Sequence, residues 1–92
     1  MPYIKKEQRV TVDYEIRELV YKLLEIPDKE IEGVMNYTIT TLINQRMKPH
    51  TGWRYKWLNR AIGVLEGVKL ELYRRIAGPY EDGACEKNGD VY

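Results

Sequence analysis

The stretch from Asn59 to Gly78, NRAIGVLEGVKLELYRRIAG, constrains what this chain can fold into more than any other. At 3.6 residues per turn, Ala61, Ile62, Leu65, Val68, Leu72 and Ile76 fall on one side of a helix, and Leu58 joins them one turn earlier. Lys69 interrupts the stripe only at its edge, where a long side chain reaches water. Glu71 precedes Arg74 by three residues and Arg75 by four, the favourable order for ion pairs along a helix. Gly78 followed by Pro79 reads as the stop, a residue free to turn left-handed and then one that cannot continue. The pattern predicts an amphipathic helix whose apolar side, centred on Leu65 and Leu72, faces an intrachain core.

The opposite side of that helix carries Gly63 and Gly67, four apart, with Leu70 projecting beside them. A glycine inside a helix costs about 1 kcal/mol relative to alanine, so two on one face call for a reason. Close approach of another backbone is one reason, and it makes Gly63, Gly67 and Leu70 a candidate oligomer interface. Arg60 and Arg74 share the face and argue for the alternative, a solvated surface that tolerates glycine.

A chain of 92 residues makes one small domain that buries a modest fraction of its surface. The net charge of +1 gives no general attraction to nucleic acid or to anionic membrane. The single cysteine, Cys85, rules out an internal disulfide framework and fits a reducing compartment. MPYIKKEQRV lacks the apolar core of a signal peptide, and no apolar run is long enough to span a bilayer. The expectation is a soluble, cytoplasmic protein without a membrane partner. Eight tyrosines and no phenylalanine are unusual; most fit half-buried margins, where the ring is covered and the hydroxyl stays polar.

Met1 to Val10 is charged and lacks helical period, and it reads as an extended arm. Thr11 is the expected cap of a first helix, over about 11–26, with Val12, Ile16, Leu19, Val20, Leu23 and Ile26 on its stripe and Pro27 closing it. A second helix covers about 28–47, with Asp28 as cap or Gly33 as a later start. Its NYTITTLI segment (Asn36–Ile43) is β-branched enough to pass for a strand, but a lone strand would have no partner of comparable length. Asn36, at the margin of the apolar face, is expected to bond a neighbouring group. The long helix then covers about 52–78, with Pro49–Gly52 as a turn and Thr51 as its cap.

The segment from Arg46 to Arg60, RMKPHTGWRYKWLNR, is a local charge anomaly, holding Arg46, Lys48, Arg54, Lys56 and Arg60 without an acid. Trp53, Tyr55 and Trp57 interleave with those cations, the combination that single-strand binders use for phosphate contact and base stacking. Against it, tryptophans ahead of a long helix are more often core anchors. Arg46, Lys48, Trp53, Arg54, Lys56, Trp57 and Arg60 are therefore candidate nucleic-acid or phosphate contacts, and this reading is not the favoured one. His50 has no neighbouring Cys or Asp and reads as an exposed loop residue; Cys85 lacks the basic surroundings that would activate a thiol. Glu15 and Glu18 have the spacing to share a metal ion, as in magnesium-dependent all-helical nucleotide pyrophosphohydrolases. The second carboxylate cluster such enzymes need is missing, since Glu66 and Glu71 are five apart on different faces.

Taken together, Met1-Pro2-Tyr3-Ile4, Asn36-Tyr37-Thr38-Ile39-Thr40, Gly63-Val64-Leu65-Glu66 with Lys69-Leu70-Glu71 and Tyr73-Arg74-Arg75, Pro79-Tyr80-Glu81-Asp82, and Asn88-Gly89-Asp90-Val91-Tyr92 resemble a family. It is a family of small, mainly helical proteins of prokaryotes and their viruses whose function is uncharacterised. The resemblance covers both ends, the second helix and the long helix; the first helix and the basic loop match poorly. It implies helix rather than strand for NYTIT and an ordered C-terminal tail, so Tyr80, Val91 and Tyr92 are expected to be partly buried. It brings no activity, and the glycine at 67 departs from the family's usual small residue, so no interface is transferred from it.

The reading is an all-α fold of three main helices with an extended N-terminal arm and an ordered, non-helical C-terminal tail, in a single domain over 1–92. The favoured function is non-enzymatic, through self-association as a dimer or larger homo-oligomer or through a protein partner. No catalytic residue, metal ligand or cofactor is assigned: there is no Ser/His/Asp set, glycine-rich phosphate loop or Cys/His metal spacing.

Overall fold

The computed structural model describes residues 2–92. Regular structure among them is entirely helical: α1 (Lys6–Leu24), α2 (Asp28–Met47), α3 (Tyr55–Leu72), a π-helical turn (Tyr73–Ala77) and α4 (Gly78–Asn88). Two compact groupings divide the chain, Tyr3–Leu58 on one hand and Asn59–Tyr92 with Pro2 on the other.

In the first grouping, α1 starts five residues earlier than the Thr11 cap predicts. The backbone N–H of Lys5 donates to Gln8 Oε1 at 3.1 Å, and Arg9 Nε donates to the Ile4 carbonyl at 3.0 Å. Gln8 thus supplies the returning half of a capping box, and the start moves to Lys6. Thr11 lies inside the helix, its hydroxyl donating to the Gln8 carbonyl at 2.6 Å. Among the described residues the extended arm shrinks to 2–5; Met1 lies outside them. Pro27 ends α1 as expected, with the last amides of Glu25 and Ile26 turning back to Lys22 and Leu23.

Helix α2 occupies the expected span. Asp28 is its first helical residue rather than its cap, and with Glu30 it places negative charge at the positive end of the helix. NYTIT is helical, and the β-branched residues meet the cost with local bonds: Thr38 Oγ1 donates to the Val34 carbonyl at 2.7 Å, and Thr40 Oγ1 to Asn36 Oδ1 at 3.3 Å. Leu19 and Leu23 on α1, Ile26 just after it, and Ile31, Val34 and Thr38 on α2 are half-buried, yet α1 and α2 share no extended close-packed seam. After α2 the chain turns at Gly52, whose φ of 92° suits glycine and whose N–H donates to the Pro49 carbonyl at 3.0 Å. Thr51 does not cap the long helix; the carbonyl of Arg54 accepts the first bonds, from Trp57 and Leu58.

The second grouping overturns the predicted stop. Gly78 and Pro79 do not end the helix: Gly78 has φ −58° and ψ −54°, and its N–H reaches back five residues to the Tyr73 carbonyl. The wider π-turn brings Pro79 into the first turn of α4, where a missing N–H costs nothing. Helical backbone therefore continues unbroken from Tyr55 to Asn88, roughly 50 Å at 1.5 Å per residue. The left-handed glycine stop falls at Gly89, with φ 94° and its N–H on the Cys85 carbonyl at 2.8 Å. The tail predicted as non-helical is thus helical through Asn88.

Burial departs furthest from expectation. Ala61, 4% exposed, is the one buried side chain among the described residues. Leu65 and Leu72, expected at the centre of an intrachain core, are 36% and 59% exposed. Tyr80, Val91 and Tyr92, expected to be partly covered, all lie in solvent.

Candidate protein–protein interface

The apolar stripe of α3 is formed where periodicity places it, and its side chains are exposed rather than buried. Leu58, Ile62, Leu65, Val68 and Leu72 on α3, with Ile76 on the π-turn, are all exposed, and Tyr80 extends the row onto α4. Lys69 Nζ, at the edge of the row, is 3.5 Å from Glu66 Oε1, and away from the row Arg74 Nη2 donates to both Glu71 carboxylate oxygens at 2.9 and 3.2 Å. Such surface pairs contribute little energy. On the opposite side, a Cβ added at Gly63 meets nothing within 4 Å, Leu70 is exposed, and Gly67 is half-buried. Among the described residues, no neighbour requires glycine at 63.

The basic aromatic segment is partly used as structure. Trp53 and Trp57 are half-buried; the Trp53 indole N–H donates to Asn44 Oδ1 at 3.3 Å, and Lys56 Nζ stands 5.2 Å from the centre of the Trp57 ring. Arg46, Lys48 and Arg54 are exposed, as is Arg60 on α3. Both indoles thus already have partners. The tryptophans act partly as anchors, and the cations remain at the surface.

Glu15 and Glu18 lie exposed on α1, and among the described residues no three His, Cys, Asp or Glu side chains gather closely enough to hold a metal ion. His50 and Cys85 are exposed. One concave surface is an open depression on α2, between Asn36, Tyr37 and Thr40. Among the described residues, no helix is long and apolar enough to cross a membrane.

The model of a family described as a domain of unknown function, DUF6899, matches residues 1–91. The chain belongs to the DUF6899 family. No curated protein and no solved structure matches it. The DUF6899 match runs through the π-turn and α4, so the continuation beyond Gly78 lies inside the family's domain. Sequence reasoning missed that continuation because Gly-Pro signals a stop at the end of a helix but is tolerated in a first turn. The signal that could have found it is the second glycine, Gly89, eleven residues on.

Proposed function

We propose that this DUF6899 protein is non-enzymatic and works by associating with itself through its helices. The observation that carries the reading is surface. A folded monomer of 10.9 kDa exposes about 5,600 Å² by the usual scaling of area with mass. This chain exposes 8,816 Å², about 3,200 Å² more. A standard protein interface takes only about 800 Å² from each partner, so the surplus exceeds what a stable association needs. With Ala61 as the one buried side chain among the described residues, these residues lack the apolar burial that offsets the entropy of ordering a backbone. The uncovered side chains are leucine, isoleucine, valine and tyrosine in a row at helical spacing, the composition of a helix–helix interface rather than of a catalytic pocket.

Static light scattering over a hundredfold range of concentration tests this. The expected result is a mass at least twice 10.9 kDa that falls only on strong dilution. A folded monomer at every concentration would end the proposal.

A further inference from the structure

We infer that Gly78 is a hinge between two arrangements of the second grouping: the unbroken helix of this structure, and one in which α3 ends at Gly78 and α4 leaves in a new direction. Sequence and structure give opposite instructions at this dipeptide. Gly78-Pro79 is a pairing that stops a helix, a residue free to turn left-handed and then one with no N–H to give the preceding turn. The structure runs through it. Gly78 stays helical, and its N–H reaches back five residues to the Tyr73 carbonyl instead of four. That widening over Tyr73–Ala77 admits the Pro79 ring.

The two arrangements lie close in energy because little besides the helix itself holds α4 in line. Among the described residues, α4 shares an extended contact with the adjoining π-turn alone, and beyond Gly78 its one half-buried residue is Ala84. A helix shorter than about 12–15 residues is marginal in water by itself. The eleven residues of α4 include Gly78, Asp82, Gly83 and Asn88, all poor helix formers. In the second arrangement a left-handed Gly78 caps the open carbonyls of α3, and Pro79 sits just past the helix end, where it is well tolerated. Glycine keeps both arrangements open. A Cβ at 78 would stand 3.3 Å from the Tyr73 carbonyl oxygen in the helical form, which a small shift relieves, whereas the left-handed form strains any L side chain. Glu81, Asp82 and Glu86 ride on α4, so the hinge redirects an acidic arm relative to α3.

The test measures one distance in the full chain. A Val64→Cys variant carries nitroxide labels at residue 64 and at the natural, exposed Cys85, and is diluted into excess unlabelled Cys85→Ser protein so that assembly contributes no distance. The unbroken helix sets the two positions about 30 Å apart along its axis, and a right-angled bend at Gly78 brings them to about 24 Å. Electron–electron double resonance is expected to show a shorter population beside the long one, depleted about tenfold by Gly78→Ala, which opposes the left-handed cap. Pro79→Ala restores the missing donor without crowding Tyr73 and should deplete it as well; circular dichroism verifies that each variant keeps its helix. A single population at about 30 Å without either substitution overturns the hinge. So does a shorter population that neither substitution reduces, because the bending then lies elsewhere. Neither result bears on self-association, which light scattering reads separately.

Discussion

Gly52 and Gly63 are the same residue type under opposite constraints, and they separate conformational need from available space. Gly52 holds φ 92°, where an L side chain is strained even though no atom lies near its missing Cβ. Gly63 is helical, and a methyl group there meets nothing within 4 Å among the described residues. Gly52→Ala is therefore expected to destabilise the fold by about 1–2 kcal/mol. Gly63→Ala is expected to stabilise it by about 0.4–1 kcal/mol, through lost freedom in the unfolded chain and gained helix propensity. Paired thermal melts measure both. If Gly63→Ala instead lowers the melting temperature, a second copy approaches the glycine side of α3. The glycines at 63 and 67 were legible as an anomaly in the sequence, but spacing alone does not reveal whether a neighbour explains them.

The elements show which physical signals can be read locally. The bounds of α2 were legible because Pro27 and Pro49 flank it and leave the backbone little choice. The start of α1 was misread because Thr11 looks like a cap, whereas the Lys5–Gln8 exchange is as effective and lies further upstream. Gln8→Ala removes the acceptor for the Lys5 amide and is expected to fray the first turn, at a cost of about 0.5–1 kcal/mol. Hydrogen exchange checks it: amides of residues 6–9 should lose protection while α2 keeps its own. The C-terminal end follows the same logic from the other side. Tyr92 is tied down by its N–H on Asp90 Oδ1 at 2.8 Å, and neither Val91 nor Tyr92 is covered. Removing those two residues is expected to shift the melting temperature by less than about 4 °C, since exposed positions contribute within about 0.5 kcal/mol. A larger fall would show that an assembled partner covers the tail.

At the scale of the whole molecule, periodicity established that α3 is amphipathic but could not say what covers its apolar side. An intrachain core and an interface between copies require the same spacing of leucines, and only burial tells them apart. The basic aromatic segment was legible from its composition, while the engagement of Trp53 with Asn44 was not, because they are nine residues apart, one in a loop and one on α2. Leu65 and Leu72 now carry a decisive contrast. In a lone chain they face solvent, and alanine at either position should cost no more than about 0.5 kcal/mol. Buried between two copies, each should cost about 2–5 kcal/mol, the range for large-to-small changes in a packed core. Because that burial exists only in the assembly, the loss should depend on concentration: association stabilises the native state by mass action, so the melting temperature of the unmodified protein should rise with protein concentration. Leu65→Ala and Leu72→Ala should each shift that dependence to higher concentration and lower the light-scattering mass at a fixed one. Leu70→Ala, exposed on the opposite side of α3, serves as the control and should leave both unchanged. If the three alanine variants behave alike, the apolar row is solvated in the working protein, and the surface surplus must be covered through another face.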